Sequence, residues 1–286
     1  MSNIDPQYLQ SRLLHRANDS HKGDYGHLLI VAGCQTMPGA AVLATGAALK
    51  SGCGLVTLHS TERALQAALN SFPSAMLSED PGEHFSVMPA KGVTRYSAIA
   101  VGPGLGRSSE TGATLRQLLP ACREYGIPMV LDADALNCIG ENKDWISLVP
   151  KGSVFTPHLG ELRRMFSWDT EEGKEAAICE LCFRSESALV LKGYRSKVFT
   201  PTGECLENTT GNPGMAKGGS GDVLTGLVGG LLARGYCAED AAALGVWIHG
   251  YAGDVLTKEC TAEGYNSRDL IDRLHLGFKK LYSNSV

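Results

Sequence analysis

The feature that most constrains the fold is the alternation of short, continuously apolar segments with longer helical ones. Apolar runs without in/out alternation are typical of parallel strands covered on both faces, so the pattern predicts a doubly wound α/β/α sandwich. The predicted strands are Leu28–Ala32, Leu55–His59, Ala98–Val101, Met129–Asp132, Val154–Thr156 and Ala188–Lys192. The predicted helices cover 39–51, 61–70, 109–124, 170–184, 220–234, 238–258 and 267–281.

Composition narrows the protein class further. The 286 residues are 43% hydrophobic and carry a net charge of −4, and they hold neither a basic run for a nucleic acid nor a membrane span. The nine scattered cysteines fit reduced thiols and a cytoplasmic protein better than a disulfide framework. No linker or repeat is visible, so we expect residues 1–286 to form a single domain, with a helical lead segment within 1–16 (Pro6–Arg16).

Two segments around residue 200 read as a β-hairpin. Ser196–Thr200 and Glu204–Thr209 flank the turn Pro201-Thr-Gly, close to the predicted strand that ends at Lys192. In open α/β sheets, ligands bind at the carboxyl ends of the strands. Glycines, small residues and polar groups follow most of the predicted strands, which predicts a cleft for a long polar ligand at this edge.

The strongest motif is Gly218-Gly-Ser-Gly-Asp222, at the start of a predicted helix. A helix N-terminus has unpaired N–H groups and a partial positive charge, and glycines ahead of it let a phosphate approach the backbone. Asp222 in the first turn would face that phosphate and suits a general base acting on an attacking hydroxyl. A simple helix cap by Ser220 or Asp222 would leave the three glycines unexplained. The segment is not a Walker loop, because Ala216 and Gly218 break that spacing.

Other polar residues have both functional and structural interpretations. His158 and Glu161, three apart in Thr156-Pro-His-Leu-Gly-Glu, either contact substrate and a magnesium-bound water or simply cap a helix. Lys192 to Arg195 either bind nucleotide phosphates or form a solvated charge cluster. Asp132 and Asp134 suit a cation, a ribose hydroxyl or a strand-end cap, whereas His249 and Asp254 are interpreted as structural.

These motifs together resemble known families. Gly218–Asp222 and the Thr-Pro-His-Leu-Gly-Glu segment are similar to the anion hole and magnesium-organising motif of the ribokinase-like superfamily, with His158 where that motif has asparagine. With His21–Gly33, Val101–Gly106, Leu131–Asn137 and Asn212–Asp222, the chain resembles the NAD(P)H-hydrate dehydratase family from about residue 15 to 258. The resemblance implies a ribokinase-like three-layer sandwich with a mostly parallel central sheet and a small β-hairpin near the nucleotide site.

The resemblance also implies a reaction and its residues. The family uses ADP or ATP to phosphorylate the ring hydroxyl of the S-epimer of hydrated NADH or NADPH (NADHX, NADPHX) and then eliminates phosphate. Asp222 is implied as the catalytic base and ring contact, and Glu161 as a magnesium ligand through water. The implied substrate-binding residues are Ala40, Gly104, Gly106, His158, Glu161 and Asp222. The implied nucleotide-binding residues are Lys192, Gly193, Tyr194, Arg195, Ser196, Asn212, Gly218, Gly219, Ser220 and Gly221.

Partners follow from the same resemblance. It implies a cytoplasmic lyase that uses Mg²⁺ and an adenine nucleotide, forms a homotetramer, and works beside a separate NAD(P)H-hydrate epimerase. The residues do not decide whether ADP or ATP is the phosphoryl donor, or whether NADHX or NADPHX is the preferred substrate. Two other functions also stay open: a vitamin-precursor or sugar kinase of the same superfamily, which would share the anion hole and base, and a non-catalytic adenine-nucleotide sensor, against which Asp222 counts.

Overall fold

A computed structural model describes residues 2–283 and contains a ten-stranded sheet between two layers of helices. The strands lie in the order β1-β10-β9-β8-β7-β6-β5-β2-β3-β4. Only β9 runs against its two neighbours; every other pairing is parallel. The strands are β1 Ser2–Ile4, β2 His27–Val31, β3 Leu55–Thr61, β4 Met76–Asp80, β5 Ala98–Val101, β6 Met129–Leu131, β7 Val154–Phe155, β8 Ala188–Leu191, β9 Lys197–Phe199 and β10 Cys205–Asn208.

Ten α-helices are assigned within the described residues. They are α1 Pro6–Gln10, α2 Pro38–Lys50, α3 Glu62–Ser71, α4 Ser109–Glu124, α5 Ala133–Glu141, α6 Leu159–Met165, α7 Glu171–Ser185, α8 Ser220–Ala233, α9 Ala238–Cys260 and α10 Ser267–Tyr282. No helix within residues 2–283 combines the length and apolarity that a membrane crossing needs. The nine cysteines all lie in this part of the chain and are free thiols.

Both faces of the sheet are apolar, which explains the continuous hydrophobic runs. Along β2, Leu28 and Ile30 belong to a core shared with α2, α8, α9 and α10, whereas Leu29 and Val31 belong to a core shared with α4, α5 and α7. Successive residues of a strand point to opposite faces, so a strand covered on both sides is apolar at most positions. The predicted three-layer, mostly parallel fold is confirmed.

The predicted hairpin forms, and it extends the main sheet instead of standing apart from it. β9 pairs antiparallel with both β8 and β10, and β1 then adds to β10 as a parallel edge strand. The antiparallel step turns the chain back directly after Lys192. It thereby places residues 192–196 beside the carboxyl ends of the central strands.

The predicted helical lead segment is wrong in length. Only Pro6–Gln10 is helical, with the Asp5 side chain accepting the N–H of Tyr8 as the N-cap. Beyond it, Arg12 forms an ion pair with Asp240 at 3.0 Å, and Arg16 donates to the carbonyl oxygen of Gly52. Residues 11–16 form a turn followed by non-helical chain. The contacts that attach them to the body of the protein join positions too far apart in sequence for a local pattern to reveal.

Candidate active site

A cavity of about 750 Å³ opens at the carboxyl ends of β6, β7 and β8. A volume of this size is typical of small-molecule sites, and an open α/β sheet binds its ligands at this edge. The lining contains most of the predicted nucleotide-binding residues together with Asp222. Its members are Asp132, Ala133, His158, Glu161, residues 192–196, Asn208, residues 210–213, residues 215–217, Ser220, Gly221, Asp222, Leu224, Val246, His249 and Gly250.

The N-terminus of α8 forms one wall of this cavity. Gly219 has a φ of +89°, and a side chain there would meet Leu43 and Ser267, so the turn into the helix requires glycine. Ser220 is the first helical residue, and the N–H groups of Gly221 and Asp222 have no backbone acceptor within residues 2–283. Unpaired N–H groups at a helix start are suited to binding an anion.

Asp222 projects from the first turn of α8 into the cavity. Burial raises the pKa of its carboxyl to about 6, the nearby negative charges of Asp132 and Asp134 act in the same direction, and the Lys192 ammonium opposes them. A carboxylate with a raised pKa is a stronger base than an ordinary aspartate and is still largely ionised at neutral pH. Asp222 therefore has the properties of a general base.

Lys192 lies among three carboxylates at the end of β8. Its Nζ is 2.6 Å from Oδ1 of Asp132 and 3.7 Å from Oε2 of Glu161. Although burial opposes it, the neighbouring carboxylates of Asp132, Glu161 and Asp222 raise the pKa of the Lys192 ammonium group. Lys192 is thus held as a fixed positive charge beside Asp222 and the start of α8. The predicted solvated charge cluster is wrong for Lys192, which is largely buried.

Asp132 positions this lysine. Its second oxygen accepts a hydrogen bond from the Thr225 hydroxyl at 2.6 Å, so both oxygens of this buried carboxylate have partners. Asp134 instead accepts the backbone N–H of Gly106 at 2.8 Å. The sequence suggested a cation, a ribose hydroxyl or a strand-end cap for Asp132. Its side chain makes no capping hydrogen bond to α5, and its contacts within the protein are those of a buried ion-pair partner.

His158 and Glu161 cap helix α6. Nδ1 of His158 accepts the N–H groups of Gly160 and Glu161 at 2.9 and 3.3 Å, which places the ring proton on Nε2. The Glu161 carboxylate accepts the N–H of His158 at 2.8 Å and lies 3.4 Å from Nε2. The capping reading is confirmed, and both residues also line the cavity, so the cap fixes their positions there.

The remaining predicted nucleotide-binding residues lie on two loops. Gly193 to Ser196 line the cavity, with Tyr194 exposed and Arg195 3.5 Å from Glu207. The side chain of Asn212 is used internally: it accepts from Gly214 N–H and Tyr265 and donates to Asp254. Asp254 also accepts the N–H of Gly211 at 3.0 Å, which confirms its predicted structural role.

Five predicted site residues lie outside the lining. Gly218 and Gly219 belong to the turn before α8, and the Gly218 carbonyl accepts the hydroxyl of Ser267 at 2.7 Å. Ala40, Gly104 and Gly106 form a neighbouring surface; a side chain at Gly104 would lie 2.7 Å from the Ala40 methyl group. This surface joins the cavity through Asp134 and the close approach of Gly102 to the Asp132 carbonyl.

Sequence reasoning missed the wall that α9 and the end of β10 contribute. Val246, His249 and Gly250 of α9 line the cavity with Asn208 and Thr210. His249 was interpreted as structural; its Nε2 lies 3.4 Å from the Ser220 hydroxyl, and burial lowers the pKa of its imidazole to about 4, which leaves it neutral. The local sequence around His249 does not indicate a site residue, because only the packing of α9 on α8 brings His249 to Ser220.

The carboxylates suit magnesium only as a partner of bound phosphates. Within residues 2–283, no group of three or more His, Cys, Asp or Glu side chains is arranged to hold a metal ion. Mg²⁺ usually keeps several waters and takes one or two carboxylates plus substrate phosphates, so a closed protein cage is not required. The oxygens of Glu161 already accept protein donors, which leaves contact through water as the way for this residue to take part.

Comparison with known proteins agrees with this geometry. The family model described as NAD(P)H-hydrate dehydratase matches residues 28–276. The ADP-dependent (S)-NAD(P)H-hydrate dehydratase of Neisseria meningitidis is 37% identical over 84% of this chain and 80% of its own length. The bifunctional NAD(P)H-hydrate repair enzyme of Moorella thermoacetica is 34% identical over 93% of this chain but only 52% of its own length, so the chain spans about half of such relatives.

A solved structure extends the similarity to three dimensions. The Bacillus subtilis ADP/ATP-dependent NAD(P)H-hydrate dehydratase, co-crystallised with ATP and Mg²⁺, superimposes with a TM-score of 0.83 at 28% identity, covering 98% of both chains. A ribokinase-like superfamily protein of Enterococcus faecalis also superimposes with a TM-score of 0.83, at 26% identity over 98% of this chain and 96% of its own. By its sequence and its fold, the chain belongs to the NAD(P)H-hydrate dehydratase family.

Proposed function

We propose that the protein dehydrates the S-epimer of hydrated NADH or NADPH back to the reduced dinucleotide, at the expense of ADP or ATP. The observation that carries this proposal is the position of Asp222. Its carboxylate lies in the first turn of α8, next to unpaired N–H groups and the fixed charge of Lys192, within a cavity of about 750 Å³. A base beside an anion site is what transfer of a phosphoryl group to a hydroxyl requires.

The nucleotide-binding half of the proposal rests on the cavity walls. Residues 192–196, Asn212, Ser220 and Gly221 line it, and Gly218 and Gly219 shape the turn that leads into α8. We assign the transferred phosphoryl group to the N–H groups of Gly221 and Asp222 and to the ammonium of Lys192. Bound Mg²⁺, with Glu161 contacting it through water, would neutralise charge on the phosphates.

The substrate-binding half rests on the surface beside Asp222. We assign the hydrated ring to the space between Asp222 and His158, and the rest of the dinucleotide to the surface of Ala40, Gly104 and Gly106. These three residues present little side-chain bulk, which lets a ligand lie close to the backbone. The fixed cap of α6 holds His158 and Glu161 at the boundary between the two halves.

The proposed chemistry has two steps. Asp222 takes the proton of the ring hydroxyl. At the same time, the oxygen of that hydroxyl forms a bond to the terminal phosphorus of the nucleotide, and the bond from this phosphorus to the rest of the nucleotide breaks. The carbon–oxygen bond of the phosphorylated ring then breaks, phosphate leaves with the electron pair, and the neighbouring ring carbon loses a proton to restore the double bond. Phosphate is a far better leaving group than hydroxide, so the first step makes the second possible.

The test follows the ultraviolet absorbance of the reduced nicotinamide ring, with hydrated NADH or NADPH, Mg²⁺, and either ADP or ATP. A nucleotide-dependent rise supports the proposal, and the faster nucleotide is the donor. No rise with either nucleotide, from protein that still binds them, would contradict it and favour the kinase or the nucleotide sensor. A separate epimerase, supplied in the assay, should increase the yield from a mixture of epimers.

Assembly and location complete the proposal. We propose a cytoplasmic homotetramer, as the family resemblance implies, in a chain that forms one domain over residues 1–286. Sedimentation equilibrium of the purified protein measures the mass of the assembly, and a monomeric mass would contradict the tetramer.

A further inference from the structure

A second cavity lies at the opposite end of α8 from Asp222. It has a volume of about 430 Å³ and is lined by His15, Arg16, Lys50, Ser51, Gly52, Arg234, Phe278 and Tyr282. Asp222 is in the first turn of α8 and Arg234 follows its last residue, so the helix separates the two sites by about 18 Å. The second cavity is therefore distinct from the candidate active site.

Two arginine side chains converge on this cavity near Gly52. A side chain built at Gly52 would lie 3.0 Å from Nη1 of Arg234 and 3.7 Å from Nη2 of Arg16. Both guanidinium groups also face the buried ring of Tyr25, at 3.8 Å for Arg16 and 5.8 Å for Arg234. Two like charges that approach the same position repel each other, and an anion bound between them would offset that repulsion.

No carboxylate balances these charges. The lining includes four basic side chains and no Asp or Glu, and within residues 2–283 none of the four forms an ion pair. Arg16 and Arg234 each donate from Nη2 to a main-chain carbonyl, of Gly52 and Leu14. The Nε of Arg234 is buried and has no hydrogen-bond partner in the described chain, which is costly for a charged donor.

Helix ends account for only part of this arrangement. Lys50 ends α2 and Arg234 follows α8, and a basic residue is favourable beside the carbonyl groups at a helix C-terminus. That explanation does not require Arg16, which comes from a different segment, to approach Arg234. Phe278 and Tyr282 of α10 add an aromatic wall, with His15 packed edge-on against Tyr282 at 5.3 Å.

We propose that this cavity, the Arg16–Arg234 cavity, binds a phosphate group, either as free orthophosphate or as a phosphomonoester. The planar guanidinium fork matches the oxygens of phosphate and donates two parallel hydrogen bonds. Two guanidinium groups with Lys50 beside them complement a dianion, and the aromatic wall accommodates the organic part of an ester. The proposal does not depend on the function assigned to the Asp222 site.

Equilibrium dialysis with labelled orthophosphate tests the proposal. The intact protein should bind at least one phosphate that Arg16→Gln and Arg234→Gln each weaken by about tenfold, the loss expected for one charge-assisted hydrogen bond. Arg184→Gln is the matched control, because Arg184 is exposed on α7 and, among residues 2–283, forms an ion pair only with Glu180 at the surface. Arg16 is exposed, so its variant tests the cavity even if Arg234→Gln fails to fold.

A second set of measurements identifies the source of the phosphate group. The part of the phosphate binding that is lost in Arg16→Gln is assigned to this cavity. If AMP displaces that part, the ligand is a phosphomonoester. If AMP leaves it intact, the ligand is orthophosphate. Nucleotide-dependent turnover should be unchanged in Arg16→Gln, since the variant lies at the far end of α8. If both glutamine variants bind as much phosphate as the intact protein, the proposal is wrong.

Discussion

The two halves of the candidate active site use glycine in opposite ways. In the open half, around Asp222 and Lys192, a side chain added at Gly218 or Gly193 would meet nothing within 4 Å. In the packed half, a side chain at Gly102 would lie 1.8 Å from the Asp132 carbonyl oxygen, and one at Gly104 2.7 Å from Ala40. Glycine at positions 193 and 218 leaves room for a ligand in the first half, whereas glycine at positions 102 and 104 allows close packing in the second.

The two halves also differ in the groups that they contribute to the site. The open half holds the titratable groups, with Asp222 and Lys192 influencing each other's pKa. The packed half contributes a close-fitting surface that is tied to the open half through Asp132 and Asp134. Substitutions in the open half should therefore change turnover, whereas substitutions at the close backbone approaches of the packed half, such as Gly102, should change stability.

The largest expected effect is on turnover in the open half. Asp222→Asn keeps the shape of the side chain but removes the base, and should lower kcat by about 10²- to 10⁴-fold. Steady-state kinetics with a circular dichroism melt separates loss of chemistry from loss of fold. Asp169→Asn, at an exposed position, is the control with the same chemical change. A variant that keeps wild-type turnover would remove Asp222 from the role of base.

The next effect is on stability in the packed half. Gly102 has a φ of +135° as well as the close approach to Asp132, so Gly102→Ala should lower the free energy of unfolding by about 3 kcal/mol or more. Gly218→Ala, in open space and without a positive φ, should change it by less than about 1 kcal/mol. Urea unfolding of the two variants measures both values. Equal losses in the pair would contradict the division of the site into two halves.

Sequence patterns predicted the central strands well because each one is apolar on both faces. The ends of β2 and β5 were predicted to within one residue. The edge strands β1 and β4 were missed, since an edge strand such as Met76–Asp80 is largely exposed and lacks an apolar run. Helix α5 was missed because Asp132-Ala-Asp reads as a loop after a strand.

At the site, the motif predicted where Asp222 lies, but the contacts that tune it are not local. Lys192 reaches Asp132 across 60 residues of sequence, and Asn212 is held by Asp254 across 42. Such pairs form only when the sheet order brings distant strand ends together. A single sequence shows which residues have the right chemistry, whereas their mutual distances depend on the packed fold.

The pH dependence of kcat/KM tests the assignment of Asp222 as the base of the open half. Asp222 must be ionised to accept a proton, and its pKa is raised to about 6, so kcat/KM should fall about tenfold per pH unit below pH 6. Nucleotide phosphates also titrate near this pH, so Asp222→Glu is the control variant. An acid limb that belongs to the side chain should move in that variant, and one that belongs to the nucleotide should stay in place.

The smallest effect distinguishes a base kept for function from a residue kept for stability. Because folding raises the pKa of Asp222 from 3.8 to about 6, the folded state favours the protonated carboxyl. The stabilisation is full below about pH 4 and is lost as pH rises through 6, where the ionised carboxylate lacks part of its hydration. Asp222→Asn should therefore stabilise the fold by about 1–2 kcal/mol at pH 8, after allowance for partial exposure.

Urea unfolding at pH 8 and at pH 4 measures the stability gained in Asp222→Asn. The difference between the variant and the wild type should shrink towards zero at pH 4, because the aspartate is then largely protonated in the folded state and resembles the neutral amide. An exposed control such as Asp169→Asn should change little at either pH. Equal or lower stability of Asp222→Asn at pH 8 would mean that Lys192 compensates the charge fully. The open half would then, like the packed half, be built for stability.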